Sequence, residues 1–233
     1  MEWVVIGLTL LLVISIVLHR YTFKKGIQKG TADFLEMLLA NGFTFKINAF
    51  TKQNKFIKTG GIVFVGDSIT QDYNVYEYFS EYHVYNRGIG GDTTVGLKTR
   101  LDVSVFDLKP KTVILMIGTN DLALLKTTPE TVAQNIKEII ETIKKELPST
   151  KIILQSIYPV NESMSPMTVQ PRKNADIIKI NQILAQLQQV IYVDVFSHLE
   201  KDGVLNPEYS VEGLHINEQG YEVITNLLKV HLK

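Results

Sequence analysis

From Gly60 onward the chain alternates short, densely apolar runs with longer stretches in which apolar residues recur every three or four positions. The runs are "GIVFVGD", "HVYNRG", "TVILMIGTND", "KIILQSIYP" and "VIYVDV". They are rich in β-branched residues, apolar at nearly every position and bounded by turn residues, which predicts strands covered on both faces. Between the third and fourth, "PETVAQNIKEIIETIKKEL" predicts an amphipathic helix with Pro129 in its first turn and lysines toward its end, where they complement the helix dipole. Such alternation, with right-handed crossovers, gives a five-stranded parallel sheet between two helical layers. Ligands of such sheets bind beyond the carboxyl ends of the strands.

Upstream the pattern changes. "WVVIGLTLLLVISIVL", Trp3 to Leu18, carries no charge and stops abruptly at "HRYTFKKG". A spanning helix needs ~20 apolar residues, with a lower limit near ~17, so this run is slightly short and reaches a span only with Trp3 and Tyr21 as interfacial anchors. A cleaved signal peptide competes, but no basic region precedes the run, no A-x-A-like site follows it, and Arg20, Lys24 and Lys25 lie on the wrong side. A buried core helix would carry some polar face. The expectation is a single-pass cell-membrane anchor over residues 1–21. The positive-inside rule then puts the main domain in the cytoplasm, with an extracytoplasmic domain as the alternative. Residues 22–56 are expected to connect: a helix with Phe34, Leu35, Leu38 and Leu39 on one face, ending at Asn41-Gly42, then a polar, lysine-rich linker loosely packed on the domain edge. The compact domain is expected over 57–233.

A chain of 233 residues suits one such domain plus a tail. Lysine plus arginine and aspartate plus glutamate both number 24, and the lysines are scattered, so no basic surface for nucleic acid is expected. The absence of cysteine excludes disulfides, thiolate metal sites and a cysteine nucleophile.

The chemistry lies at the strand ends. Ser68, in "GDSIT", follows the first run and precedes a helical stretch; it is either an exposed nucleophile or a helix cap. Thr70 occupies the second glycine position of the G-x-S-x-G elbow, which excludes that motif. "NRGIGGDTT" lacks the third small residue of the dinucleotide fingerprint, and Gly91 either makes an ordinary turn or lets a bare backbone N–H approach a substrate oxygen. Asn120, in "GTND", is an Asx-turn residue or an amide donor to an oxyanion. His215, in "EGLHIN", sits just before an amphipathic segment carrying Tyr221, Ile224, Leu227 and Leu228, on a loop that can return to the carboxyl edge. Of the other histidines, only His198, past the last strand, rivals it as a base.

In this order, Ser68, Gly91, Asn120 and His215 resemble the SGNH hydrolases, or GDSL esterases and lipases, in particular bacterial platelet-activating-factor acetylhydrolase-like esterases. The resemblance covers roughly Gly61 to the C-terminus. It implies a flavodoxin-like three-layer α/β/α sandwich, Ser68 as nucleophile and His215 as base. It also implies an oxyanion hole of the Ser68 and Gly91 N–H groups with the Asn120 amide. The implied reaction is hydrolysis of carboxylic esters, often short acyl groups, here of a lipid or glycan, with no cofactor or metal. One position departs: the family usually has aspartate three residues before the histidine, where this chain has Glu212, one methylene longer, as the candidate orienting carboxylate. The segment Tyr158 to Lys173 is expected to line the site, its methionines offering apolar contact. The competing reading from another class is a membrane-anchored binding module that holds acylated or glycosylated ligands without turnover.

Overall fold

The computed structural model describes the backbone of residues 2–232 and the side chains of residues 14–27 and 29–232. A long helix, α1 (Glu2–Gln53), precedes the alternating elements. These are β1 (Ile62–Gly66), α2 (Ser68–Asp72), β2 (Val84–Gly88), α3 (Thr94–Thr99), β3 (Thr112–Met116), α4 (Pro129–Glu146), β4 (Lys151–Gln155), α5 (Asn174–Leu184), β5 (Ile191–Val193) and α6 (Glu218–Lys229), joined by shorter turns. All five strands pair in parallel, in the order β2-β1-β3-β4-β5. That order reverses direction between β1 and β3, and a crevice opens at the carboxyl edge of the sheet at such a switch point.

Strand residues alternate between two apolar layers, as a pleated strand requires. Val65, Val113, Leu115, Ile152 and Leu154 face α4 and α5, where Ile136, Ile139, Ile143, Ile177 and Ile180 are fully buried. Phe64, Ile114, Met116 and Ile153 face the other layer with Ile69, Tyr73, Tyr221, Ile224 and Leu228. The expected three-layer sandwich with five parallel strands is therefore present. α4 begins at Pro129 as expected, its N-cap Thr128 accepting from the Thr131 N–H.

The N-terminal region differs from expectation. The chain divides into two compact units, residues 1–42 and 43–233. Helix α1 does not end at Asn41-Gly42 but runs to Gln53, so the stretch expected as a loose linker is largely helical. Tertiary contacts within the larger unit account for this. Phe50 is buried under the Arg87 guanidinium, 4.6 Å from its ring centre. Asn54 donates to Val103 O at 2.8 Å and Asp107 Oδ2 at 2.9 Å, and accepts from Arg87 Nη2 at 2.9 Å. These contacts offset the ~1 kcal/mol that a mid-helix glycine costs. Much of the expected membrane run, residues 3–13, lies outside the residues whose side chains are described. Among the described residues no helix is long and apolar enough to cross a membrane.

Candidate active site

The turn after β1 brings Asp67 and Ser68 to the carboxyl edge. Asp67, not Ser68, caps α2: its Oδ1 accepts from the Ile69 N–H at 3.0 Å, leaving the Ser68 hydroxyl to other partners. Ser68 Oγ lies 3.0 Å from His215 Nε2. The ring's other nitrogen, Nδ1, is 2.8 Å from Glu212 Oε1. An ionised carboxylate only accepts, so Nδ1 carries the proton and Nε2 presents a lone pair to the serine hydroxyl. The longer side chain of Glu212 therefore reaches the imidazole. Its Oε1 also accepts from the His215 backbone N–H at 2.6 Å, while Oε2 is buried with no partner among the described residues.

Local chemistry shapes the loop that carries the histidine. Ser210 Oγ donates to His215 O at 2.6 Å and accepts from the Gly213 N–H at 2.9 Å, folding residues 210–215 onto themselves. Gly213 sits at φ +89°, and a Cβ there would lie 2.1 Å from Asn161 O, so only glycine fits this bend. Tyr221 of α6 donates to Ile69 O at 2.7 Å and stacks on Tyr73 with ring centres 4.5 Å apart. These contacts tie the helix after His215 to the helix that begins at Ser68. The rival base, His198, lies exposed in a helical turn after β5, whereas the histidine at hydrogen-bonding distance from Ser68 is His215.

Gly91, at φ +74°, follows β2 and Asn120 follows β3, the strands that flank β1 on either side. Buried Asn120 donates from Nδ2 to Asp92 O at 3.0 Å, and its second amide hydrogen has no acceptor among the described residues. Two arginines, missed from the sequence, organise this edge. Arg100, 1% exposed, pairs with Asp92 at 2.7 Å and donates to Gly66 O and Arg87 O, joining the ends of β1 and β2 to the Gly91 turn. Arg172, 6% exposed, donates to Asn120 Oδ1 at 2.8 Å and Thr119 O at 3.1 Å. The segment Tyr158–Lys173 thus reaches the site through Arg172, and through Asn161, whose N–H donates to Gly213 O; Met167 is 93% exposed. A lone arginine in a loop has no periodicity or motif to mark it, and the only signal was the placement of "QPRK" in that segment.

Burial dominates the electrostatics. It pushes the Asp67 carboxyl up from an ordinary 3.8 to about 7, against the Ile69 N–H that favours the anion; nearby Asp92 and Asp121 push the same way, and Arg172 opposes them. Burial likewise raises Asp92, with Arg100 opposing, and Asp121, with Thr94 opposing. Asp121 accepts from both the N–H and the hydroxyl of Thr94. Among the described residues no cluster of acidic or histidine side chains could hold a metal ion.

With this geometry in hand, comparison with known proteins places the chain in a class: the GDSL-like Lipase/Acylhydrolase family matches residues 64–223, and the chain belongs to it. It is a carboxylic ester hydrolase. The platelet-activating factor acetylhydrolase IB subunit alpha2 of Rattus norvegicus is 32% identical over 187 residues, covering 75% of this chain and 79% of its own. A solved structure from Streptococcus pneumonia, described as a platelet activating factor, is 31% identical with a TM-score of 0.81, covering 87% of this chain and 98% of its own. A GDSL-like lipase from Bacteroides thetaiotaomicron shares the fold, with a TM-score of 0.70 at 23% identity over 80% of this chain and 96% of its own.

Proposed function

We propose that the protein hydrolyses esters of short acyl groups on a lipid or glycan through an acyl-enzyme on Ser68. His215 Nε2 takes the hydroxyl proton as Oγ bonds to the ester carbonyl carbon, and the carbonyl oxygen becomes an oxyanion. Collapse breaks the bond to the alcohol oxygen, which leaves with the proton from His215. Water, deprotonated by the same nitrogen, then attacks the acyl carbon; the bond to Ser68 Oγ breaks, Oγ regains the proton from His215, and the acid is released. Glu212 holds the Nδ1–H tautomer and stabilises the imidazolium. The Ser68 and Gly91 N–H groups and the second hydrogen of the Asn120 amide receive the oxyanion.

The observation that carries this reading is the chain of contacts from Ser68 Oγ through both nitrogens of His215 to Glu212, at 3.0 and 2.8 Å. The test compares wild type with Ser68→Ala for p-nitrophenyl acetate hydrolysis and for labelling by a fluorophosphonate probe. Both should vanish in the variant, and labelling that survives would remove Ser68 as the nucleophile. The charge-free run from Trp3 to Leu18 supports a membrane-attached enzyme acting on esters near a bilayer. Release of the full chain from membranes by alkaline carbonate would refute attachment.

A further inference from the structure

A buried guanidinium is costly unless something near it uses the charge. Arg172 forms no ion pair in direct contact among the described residues, although the Asp67 and Glu212 carboxylates lie near enough to favour its charge. Its hydrogen bonds go to three backbone oxygens, of Thr119, Thr168 and Val169, and to one side chain, Asn120 Oδ1. That last bond decides which way an amide points. Arg172 can only donate and Asp92 O can only accept, so the Asn120 side chain is locked with oxygen toward the arginine and nitrogen toward the turn that carries Gly91. A flipped amide would set N–H against N–H and oxygen against oxygen.

We infer that Arg172 is a positioning residue for ester hydrolysis: it fixes the Asn120 amide and, by drawing electron density toward Oδ1, strengthens the remaining N–H as a donor to the oxyanion. Donors in a hydrogen-bonded chain polarise one another in this way, and the effect grows where water is excluded. The inference rests on the reading of Asn120 as an oxyanion donor. It makes residue 172 matter to the rate without touching substrate.

The backbone bonds give Arg172 a second role, since the one to Thr119 O pins the segment after β4 to the end of β3 while those to Thr168 O and Val169 O brace the segment itself, and the experiment has to separate the two roles. Arg172→Met and Arg172→Lys are each made in wild type and in Asn120→Ala, and kcat/KM and KM are measured with p-nitrophenyl acetate. Asn120→Ala should lower kcat/KM by ~10²–10³, as loss of one oxyanion donor does. In the wild-type background Arg172→Met should cost ~10–100-fold with KM changed less than ~3-fold; in Asn120→Ala the same change should cost less than ~3-fold. Equal losses in the two backgrounds would mean that Arg172 only pins the loop, and would overturn the inference. Arg172→Lys keeps the charge and loses the fork, and should show a smaller loss with the same dependence on background. If the methionine variant does not fold, equal losses for lysine in the two backgrounds overturn the inference by themselves. Ser68→Ala separates the failures: if it keeps activity, the serine reading falls, whereas an inactive Ser68→Ala with equal losses at Arg172 leaves that reading standing.

Discussion

Replacing Glu212 by glutamine isolates what its charge does. Two donors converge on Oε1, the Nδ1–H of His215 at 2.8 Å and its backbone N–H at 2.6 Å. The backbone donor cannot change its role. A glutamine amide must therefore present its oxygen to both and place its nitrogen where Oε2 now sits, so the imidazole keeps its tautomer. This differs from the aspartate-to-asparagine change in the serine-protease triad, where the wrong tautomer brings a loss of ~10⁴. The attraction between carboxylate and imidazolium is lost, which matters only once the histidine has taken the proton; the new NH2 also enters the buried position where Oε2 has no partner among the described residues, a cost to fold stability rather than to the tautomer.

The size of that attraction follows from the setting. Opposite charges at contact are worth ~1 kcal/mol in water and ~4 kcal/mol at an effective dielectric of ~20. The His215 and Glu212 side chains are 39% and 27% exposed, which places the pair between those limits, at about 2–3 kcal/mol. Glu212→Gln should then lower kcat/KM by about 30- to 160-fold. Steady-state hydrolysis of p-nitrophenyl acetate, with circular dichroism to show an intact fold, measures it. A loss below ~3-fold would make Glu212 a solvated charge, and a loss near ~10⁴ would show that the backbone N–H does not hold the amide.

Three further changes probe the scaffold. The raised pKa of Asp67, about 7 against an ordinary 3.8, means that the folded protein holds a proton that the unfolded chain has released; the associated stability is complete below 3.8 and lost as pH rises through about 7. Asp67→Asn keeps the cap oxygen for Ile69 and never ionises. Its stability to urea relative to wild type should rise by up to ~4 kcal/mol between about pH 4 and about pH 8, and a difference that does not change with pH would refute the cause. Arg100→Met leaves Asp92 charged and buried and should cost ~3–5 kcal/mol in urea unfolding, a loss below ~1 kcal/mol refuting the role given to the pair. Gly213→Ala puts a Cβ 2.1 Å from Asn161 O at φ +89°. It should cost ~1–3 kcal/mol and lower kcat/KM, and an alanine variant with wild-type rate would show that this bend does not set the Glu212–His215 geometry.

What the sequence disclosed and what it hid follow from one physical distinction. The five strands were legible because burial on both faces forces nearly unbroken apolar runs, and Ser68, Gly91, Asn120 and His215 were legible because each follows a strand end or opens a helix. The continuation of α1 to Gln53 was hidden under lysines, although Phe43, Lys46, Ile47 and Phe50 stand at i, i+3, i+4 and i+7 and are the least exposed residues of that stretch apart from Ala49. The polarity of this stretch belongs to the solvent face of a docked helix, not to a loose linker.

The two arginines were hidden for a different reason. Arg100 ends "LKTR", where a basic residue is an ordinary helix terminus, and Arg172 sits in a loop; neither position distinguishes a buried guanidinium from a solvated one. Their partners are backbone oxygens of Gly66, Arg87 and Thr119 at three separate strand ends, and those oxygens meet only after the sheet has formed. The motifs therefore name the groups that would touch the ester, while the groups that aim them are set by topology. It follows that transplanting the four motifs onto another parallel sheet without equivalents of Arg100 and Arg172 should give a serine near a histidine but an unoriented Asn120 amide, and hence a poor esterase.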